Sequence, residues 1–322
     1  MKFKHSFHVF VDNFSVIYKQ LLYRLVVLVI SGLICWAGVY PFIKTFIDSE
    51  QLNTIIEGTK GFISNLLNGQ MNELQSLSEK VQTAYTELIE LLNTKLSQAI
   101  LSGLLILLIT VVSKWFMALG NYATASIIND KMALRAKQPF LGTLIRNLKS
   151  AAIYSAIYVP LSVLFDLIIV VAMFFLFFTL LNHVVYFFIC LFLFVLAIVF
   201  AITFKMTVTS DWLPALIRGK MKQGAAMKYA FSRKNKQTLN VMSNFAVIVL
   251  IVFALNMAAL LLTLGAGLLL TVPSSYVIII CFEFVNYYDR EEIKYSIDKN
   301  TIISPAKERP LSREEFFRGD DN

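Results

Sequence analysis

Six uninterrupted apolar runs of about 20 residues constrain this chain more than any other feature. A helix rises about 1.5 Å per residue, so a run of that length crosses a hydrocarbon layer of roughly 30 Å. The runs fall at 22–43, 97–119, 151–180, 184–208, 241–263 and 266–286. They are continuous rather than alternating, which predicts helices and not a barrel; only those two structures pair every backbone polar group in lipid. The last two share the stretch from Val241 to Val285. A tight turn is expected near Gly265-Ala266-Gly267, with Pro273 in the first turns of the sixth helix or just before a later start. Composition agrees, at 57% hydrophobic and 16% charged, against roughly 45–50% and about 25% in soluble domains. The expected fold class is all-α, a polytopic membrane protein with six transmembrane helices.

Lys and Arg in short loops orient such a chain. Residues 1–24 carry Lys2, Lys4, Lys19 and Arg24 against Asp12 alone. Segment 44–98 has four Lys against seven acids, segment 114–149 six basic residues against one acid, and segment 205–236 eight against one. The connections at 181–183 and 264–267 hold no Lys or Arg. The alternation predicts both termini inside (N-in, C-in) and 44–96 outside. The formal net charge of +8 then follows from the inside loops beside anionic lipid, and no nucleic-acid partner is expected.

The outside segment has a helical period. Leu67, Leu74, Val81 and Leu88 recur every seven residues, with Ser78 as a polar break and Met71, Tyr85 and Leu92 in a second seam. Ile47, Leu52, Ile55, Ile56, Ile63, Leu66 and Leu67 form an earlier apolar face, and Asn68-Gly69 marks a turn. These signals predict an extracytoplasmic helical hairpin over 44–96, whose stripes pack on each other or receive a protein partner.

Residues 1–21 place Phe3, Phe7, Phe10, Phe14, Ile17 and Leu21 on one helical face, with Lys2, Lys4, Asp12 and Lys19 off it. That pattern predicts an amphipathic helix lying on the inner leaflet. Segment 137–149 is similar, with Leu141, Leu144, Ile145 and Leu148 beside Lys137, Arg146 and Lys149. After the last run, 287–322 reads as a polar cytosolic tail, loosely ordered, with strand potential at Thr301-Ile302-Ile303. Three basic segments, each followed by an out-and-back pair of spans, make a topological repeat.

The stretch LPALIRGKMKQGAAMKYAFSRKNKQTL, Leu213 to Leu239, resembles a loop of the six-span membrane domain attached to bacterial glycerophosphodiester phosphodiesterases, and of related bacterial membrane families. It is the loop between spans four and five. The likeness rests on Pro214, Gly224, Ala226, Met227, Lys228, Ser232, Lys234 and Asn235. It implies a bacterial cytoplasmic-membrane protein. The sequence shows no phosphodiesterase domain, its hairpin is longer than expected for the family, and the family's membrane domain supplies no catalytic residues to carry over.

Motifs for chemistry are absent from the sequence. His5 and His8 lie across the expected membrane from His183, and no His-Glu-x-x-His or Gly-x-Ser-x-Gly occurs. Gly219-Lys220 has Pro214 where a phosphate loop needs its first Gly. Cys35, Cys190 and Cys281 lie inside runs and read as reduced packing residues. No catalytic residue, cofactor or metal is expected, although a lipid-modifying site at the interface stays open.

Asp166 is the exception, a carboxylate near the middle of the third run. A charge at a helix centre costs about 2.5–3.5 kcal/mol on insertion scales. Candidate partners are Asn256, Thr203 and Lys205; Lys205 could instead reach the inner interface. Asp166 is then either a structural bond or a coupling carboxylate in a transport path. The overall expectation is a non-enzymatic integral membrane protein, accessory or organisational in the cell envelope. Its partners would be membrane lipid and a protein at the hairpin. Lys220, Lys222, Lys228, Arg233, Lys234 and Lys236 are the expected lipid contacts on the inner face. The alternative is a small transporter or channel subunit using Asp166.

Overall fold

The computed structural model describes residues 2–67, 74–135, 138–181, 187–232, 235–297 and 301–304. The helices are α1 (Lys2–Asp12), α2 (Phe14–Ile47), α3 (Glu50–Leu67), α4 (Leu74–Thr94), α5 (Leu96–Met132), α6 (Phe140–Arg146), α7 (Leu148–Leu181), α8 (Phe187–Thr209), α9 (Trp212–Ile217), α10 (Gln223–Phe231), α11 (Asn235–Leu262) and α12 (Leu268–Arg290). Strands β1 (Tyr295–Ser296) and β2 (Ile302–Ile303) pair antiparallel. The fold is therefore helical, and six helices are long and apolar enough to cross a membrane: α2, α5, α7, α8, α11 and α12. Two compact units divide the chain, Val26–Lys114 and Met1–Leu25 with Trp115–Asn322.

In the unit Val26–Lys114, α2 and α5 pack closely at Gly38, where a Cβ would stand 2.3 Å from Leu105 Cδ2. Ser31 and Ser113 approach within 3.4 Å through their hydroxyls. Around them Ile34, Trp36, Leu101, Leu104, Leu107 and Leu108 face outward, as lipid-solvated helices require. The hairpin of α3 and α4 forms as expected, and Gly58 lets its arms approach; a Cβ there would lie 2.5 Å from Val81 Cγ2. The second seam differs from the heptad reading. Ala84 is buried and Leu91 partly buried, while Tyr85 and Leu92 are exposed. A small residue at the seam permits the close approach, so the larger side chains turn away. Leu74 and Ser78 lie in α4 and Leu67 in α3, but their side chains, like the Asn68-Gly69 turn and Met71, lie outside the described residues.

In the other unit, α7, α8, α11 and α12 pack in chain order, and α1 lies on α12. The helices outrun the apolar segments. Leu119, Tyr122, Ala125, Ile128 and Met132 of α5 join a buried cluster with Ala151 and Tyr154 of α7, Trp212 of α9 and Val285 and Tyr288 of α12. This core sits at the basic ends of the helices. It converts the expected loop 114–149 into helix as far as Met132, and it continues past the sixth run. Tyr287, Tyr288, Tyr295 and Ile297 are all buried. The tail is thus packed through Ile297 rather than loose, and the strand expected at Ile302-Ile303 is present. The segment 305–322 lies outside the described residues.

Two turns confirm local chemistry. Between α11 and α12 the chain reverses through Leu264 and Gly265, both at positive φ, with the Gly265 N–H donating to Leu260 O at 3.0 Å. Pro273 falls inside α12, in its second turn. At the amino terminus, Asn13 interrupts what the sequence reads as one helix over 1–21. Its amide donates to Val9 O at 2.7 Å, and a new helix starts at Phe14.

Candidate functional site

At the basic end of the larger unit, the last turns of α5 meet the α6–α7 junction and the end of α9. Between them lies a cleft of about 550 Å³. Tyr122, Ser126, Asn129 and Asp130 of α5, Arg146, Asn147 and Ser150 at the α6–α7 junction, and Leu216, Ile217, Lys220 and Met221 line it, together with Arg135 and Gln138. The arrangement follows from α5 running on as a helix with small residues, Ala123, Thr124, Ala125 and Ser126, against the core.

Asp130 organises this cleft. Its carboxylate is 8% exposed as a residue and receives Arg146 Nη2 at 3.1 Å and Arg135 Nη1 at 3.5 Å. Asn147 donates to Ser126 at 3.2 Å, and Tyr288 donates to Asn129 Oδ1 at 3.0 Å. Two residues here have unusual backbones. Leu134, before Arg135, and Lys220 stand at φ 53° and 49°, a left-handed region that costs a non-glycine residue of order 1–3 kcal/mol. Lys220 follows Gly219, where a Cβ would strike Ala215 O at 2.6 Å and the Tyr287 hydroxyl at 2.7 Å.

A second polar network braces the same end. Buried Asp211 pairs with Arg290, whose guanidinium also donates to the Tyr229 hydroxyl at 2.8 Å. Tyr229 in turn donates to Glu291. Burial, and then the hydrogen bond to Glu291, push the Tyr229 phenol above its usual range. Lys131 pairs with Asp12, and His5 meets the Tyr295 hydroxyl at 3.0 Å, which donates to Asp289 at 2.8 Å. Glu283, between Phe282 and Phe284 inside the sixth run, is a second acid within a span that a reading centred on Asp166 passes over; it lies within electrostatic range of Tyr154 and Tyr158. The ion pairs of Asp211 and Asp130 also escape it, since a charge just beyond a span reads as a topology signal. Among the described residues, no three His, Cys, Asp or Glu side chains gather as a metal site.

Asp166 meets Lys205 Nζ at 2.5 Å, and the same ammonium approaches Ser162 O at 3.4 Å. Of the proposed partners, Lys205 is therefore the one brought to it. Asn256 instead binds Thr271 at 2.7 Å and Ser275 at 3.2 Å, joining α11 to α12. Thr203 is buried and its hydroxyl makes no hydrogen bond among the described residues. The pairing also relocates Asp166. Lys205 stands four residues before the end of α8, about 6 Å along the axis. Asp166 is central in its own helix but faces the terminal turns of the neighbouring one. The α7 residues before it, including Tyr154 and Tyr158 packed edge-on against Trp212, belong to the core at the basic end.

The expected lipid contacts Lys220, Lys222 and Lys228 are exposed. Arg233 and Lys234, and the side chain of Lys236, lie outside the described residues, as do His183 and the side chain of Cys190. Cys281 is buried and Cys35 partly so, both reduced. The amino-terminal apolar stripe is divided in two. Val9, Val16 and Ile17 are buried, whereas Phe3, Phe7, Phe14 and Tyr18 face outward, Phe7 and Tyr18 being 48% and 51% exposed. Rings contact in series from Phe7 through Phe10 and Phe14 to Tyr18, with centroids 5.7–6.2 Å apart. No family model, curated protein or solved structure matches this chain.

Proposed function

We propose that this is a multi-pass protein of the bacterial cytoplasmic membrane, with both termini inside, that serves an accessory rather than catalytic role and engages anionic lipid through its inner face. The observation that carries this is the aromatic ladder Phe7–Phe10–Phe14–Tyr18, outward at Phe7, Phe14 and Tyr18 and half-buried at Phe10, on a segment whose opposite side packs on the protein. A row of aromatics left uncovered, with Lys4 and Lys19 exposed beside it, suits the headgroup boundary, where rings bury in acyl chain and ammonium groups meet phosphate. The likeness of Leu213–Leu239 to a bacterial membrane family supports the same compartment.

The ion pair of Asp166 with Lys205 supports a structural role for that carboxylate over a coupling one, because the charge is already compensated. The test has two arms. Phe10 is half-buried against the core, so Phe7 and Phe14 are the positions to change; a Phe7→Asp, Phe14→Asp chain should lose contact of residues 2–18 with lipid-borne quenchers. Chain isolated in mild detergent should retain acidic phospholipid by native mass spectrometry. Unchanged quenching, or ion flux in proteoliposomes abolished by Asp166→Asn, would overturn the reading.

A further inference from the structure

We propose that the cleft organised by Asp130 is a binding site for a phosphate-bearing anion, the headgroup phosphate of an acidic lipid. Its lining holds Arg135, Arg146 and Lys220 against the single carboxylate of Asp130. Both guanidiniums lean on that carboxylate, which cannot neutralise two of them. Positive charge is left over, and it is accessible: the Arg135 and Arg146 side chains are 48% and 46% exposed, while that of Asp130 is 11% exposed. The acid therefore fixes the two forks from behind while their remaining N–H donors face the opening. A planar fork donates two parallel bonds to a tetrahedral oxyanion, and Lys220 adds a point charge to the same lining.

Neutral groups complete the recognition. Ser126 and Asn147 are held by their mutual bond, and Asn129, whose side-chain oxygen accepts a hydrogen bond from the Tyr288 hydroxyl, lines the same space. Leu134 and Lys220 adopt left-handed backbones, the first directly before Arg135 and the second at a cation of the lining itself. The lipid source follows from α6, the short helix that delivers Arg146. Its Leu141 and Ile145, with Leu148 beyond it, are exposed, so the element that carries Arg146 also offers apolar side chains suited to acyl chains. This choice of source rests on the inner-face reading above; the anion site does not.

The test uses the full chain in mild detergent with three probes: glycerol 3-phosphate, short-chain phosphatidate and short-chain phosphatidylcholine. Binding is read by calorimetry and by the shift in melting temperature. Phosphatidate should bind and phosphatidylcholine should not. Arg135→Gln and Lys220→Gln should each weaken phosphatidate by about tenfold or more, with the ligand-free melting temperature unchanged because both side chains are surface-accessible. Failure of both phosphate probes to bind, or binding indifferent to these two substitutions, would overturn the site. Glycerol 3-phosphate binding as tightly as phosphatidate would overturn the lipid source and leave the phosphate site standing. The Phe7→Asp, Phe14→Asp chain separates the two readings, since it should keep full affinity for both phosphate probes while its amino-terminal lipid contact is lost.

Discussion

Replacing Lys205 with Met removes the cation that faces Asp166 and keeps the length of the side chain. Breaking a buried ion pair costs about 3–5 kcal/mol, because one charge is left uncompensated. An exposed pair is worth about 0–1 kcal/mol. Here the Asp166 and Lys205 side chains are 38% and 17% exposed, so the pair lies between those limits and Lys205→Met should cost about 1–3 kcal/mol. Asp166→Asn should cost less, since the amide still accepts a bond from the ammonium. The double change Asp166→Leu, Lys205→Met removes both charges and should return to within about 1 kcal/mol of the parent, as replacing a whole pair by apolar side chains often does. Trp212 is fully buried beside Tyr154 and Tyr158, so its fluorescence reports loss of the basic-end core during unfolding in mixed micelles. Additivity of the two single changes in a double-mutant cycle, with no coupling between positions 166 and 205, would refute the structural role.

Other consequences are as direct. Gly58→Leu should loosen the α3–α4 hairpin by about 1–3 kcal/mol, from overpacking against Val81, seen as lost amide protection over 50–94. Asp211→Asn should lower stability by about 3–5 kcal/mol, because Asp211 is fully buried and Arg290 keeps its charge; an unchanged melting temperature would contradict this. The raised phenol of Tyr229 binds its proton more tightly folded than unfolded. Its contribution is therefore complete below the ordinary tyrosine value of about 10 and declines as pH rises through the folded value; a Tyr229→Phe chain should show a shallower alkaline loss of stability. In a chain freed of its three cysteines, Glu87→Cys should react with an impermeant thiol reagent added outside cells and Lys222→Cys should not, the reverse labelling inverting the topology.

Hydropathy makes the six membrane-length helices legible because a lipid-facing helix is apolar all round. It does not reveal where a helix leaves lipid and continues into a protein core. Residues 120–132 are rich in small and polar side chains that read as loop, yet Ala123, Thr124, Ala125 and Ser126 are buried. The hairpin was legible, but its inner seam was not, since Ala84 signals burial more weakly than Tyr85. Of the candidate sites, Lys205 and Lys220 were visible as lone charges. Their meaning required partners distant in the chain: Asp166 is 39 residues from Lys205, and Arg290 is 79 from Asp211. No periodicity or spacing encodes such pairs.

The docking of α1 on α12, sealed by His5 against Tyr295, has a consequence for biosynthesis. Helix α1 leaves the ribosome well before the helix on which it rests. At roughly 5–20 residues per second, some 290 residues separate those events by about 15–60 s. Through that interval α1 lacks the helix on which it packs. A membrane surface accepts such a helix through Phe3, Phe7 and Phe14, and the aromatic ladder that stays outward in the finished fold is then also the anchorage on which the amino terminus waits for its partner.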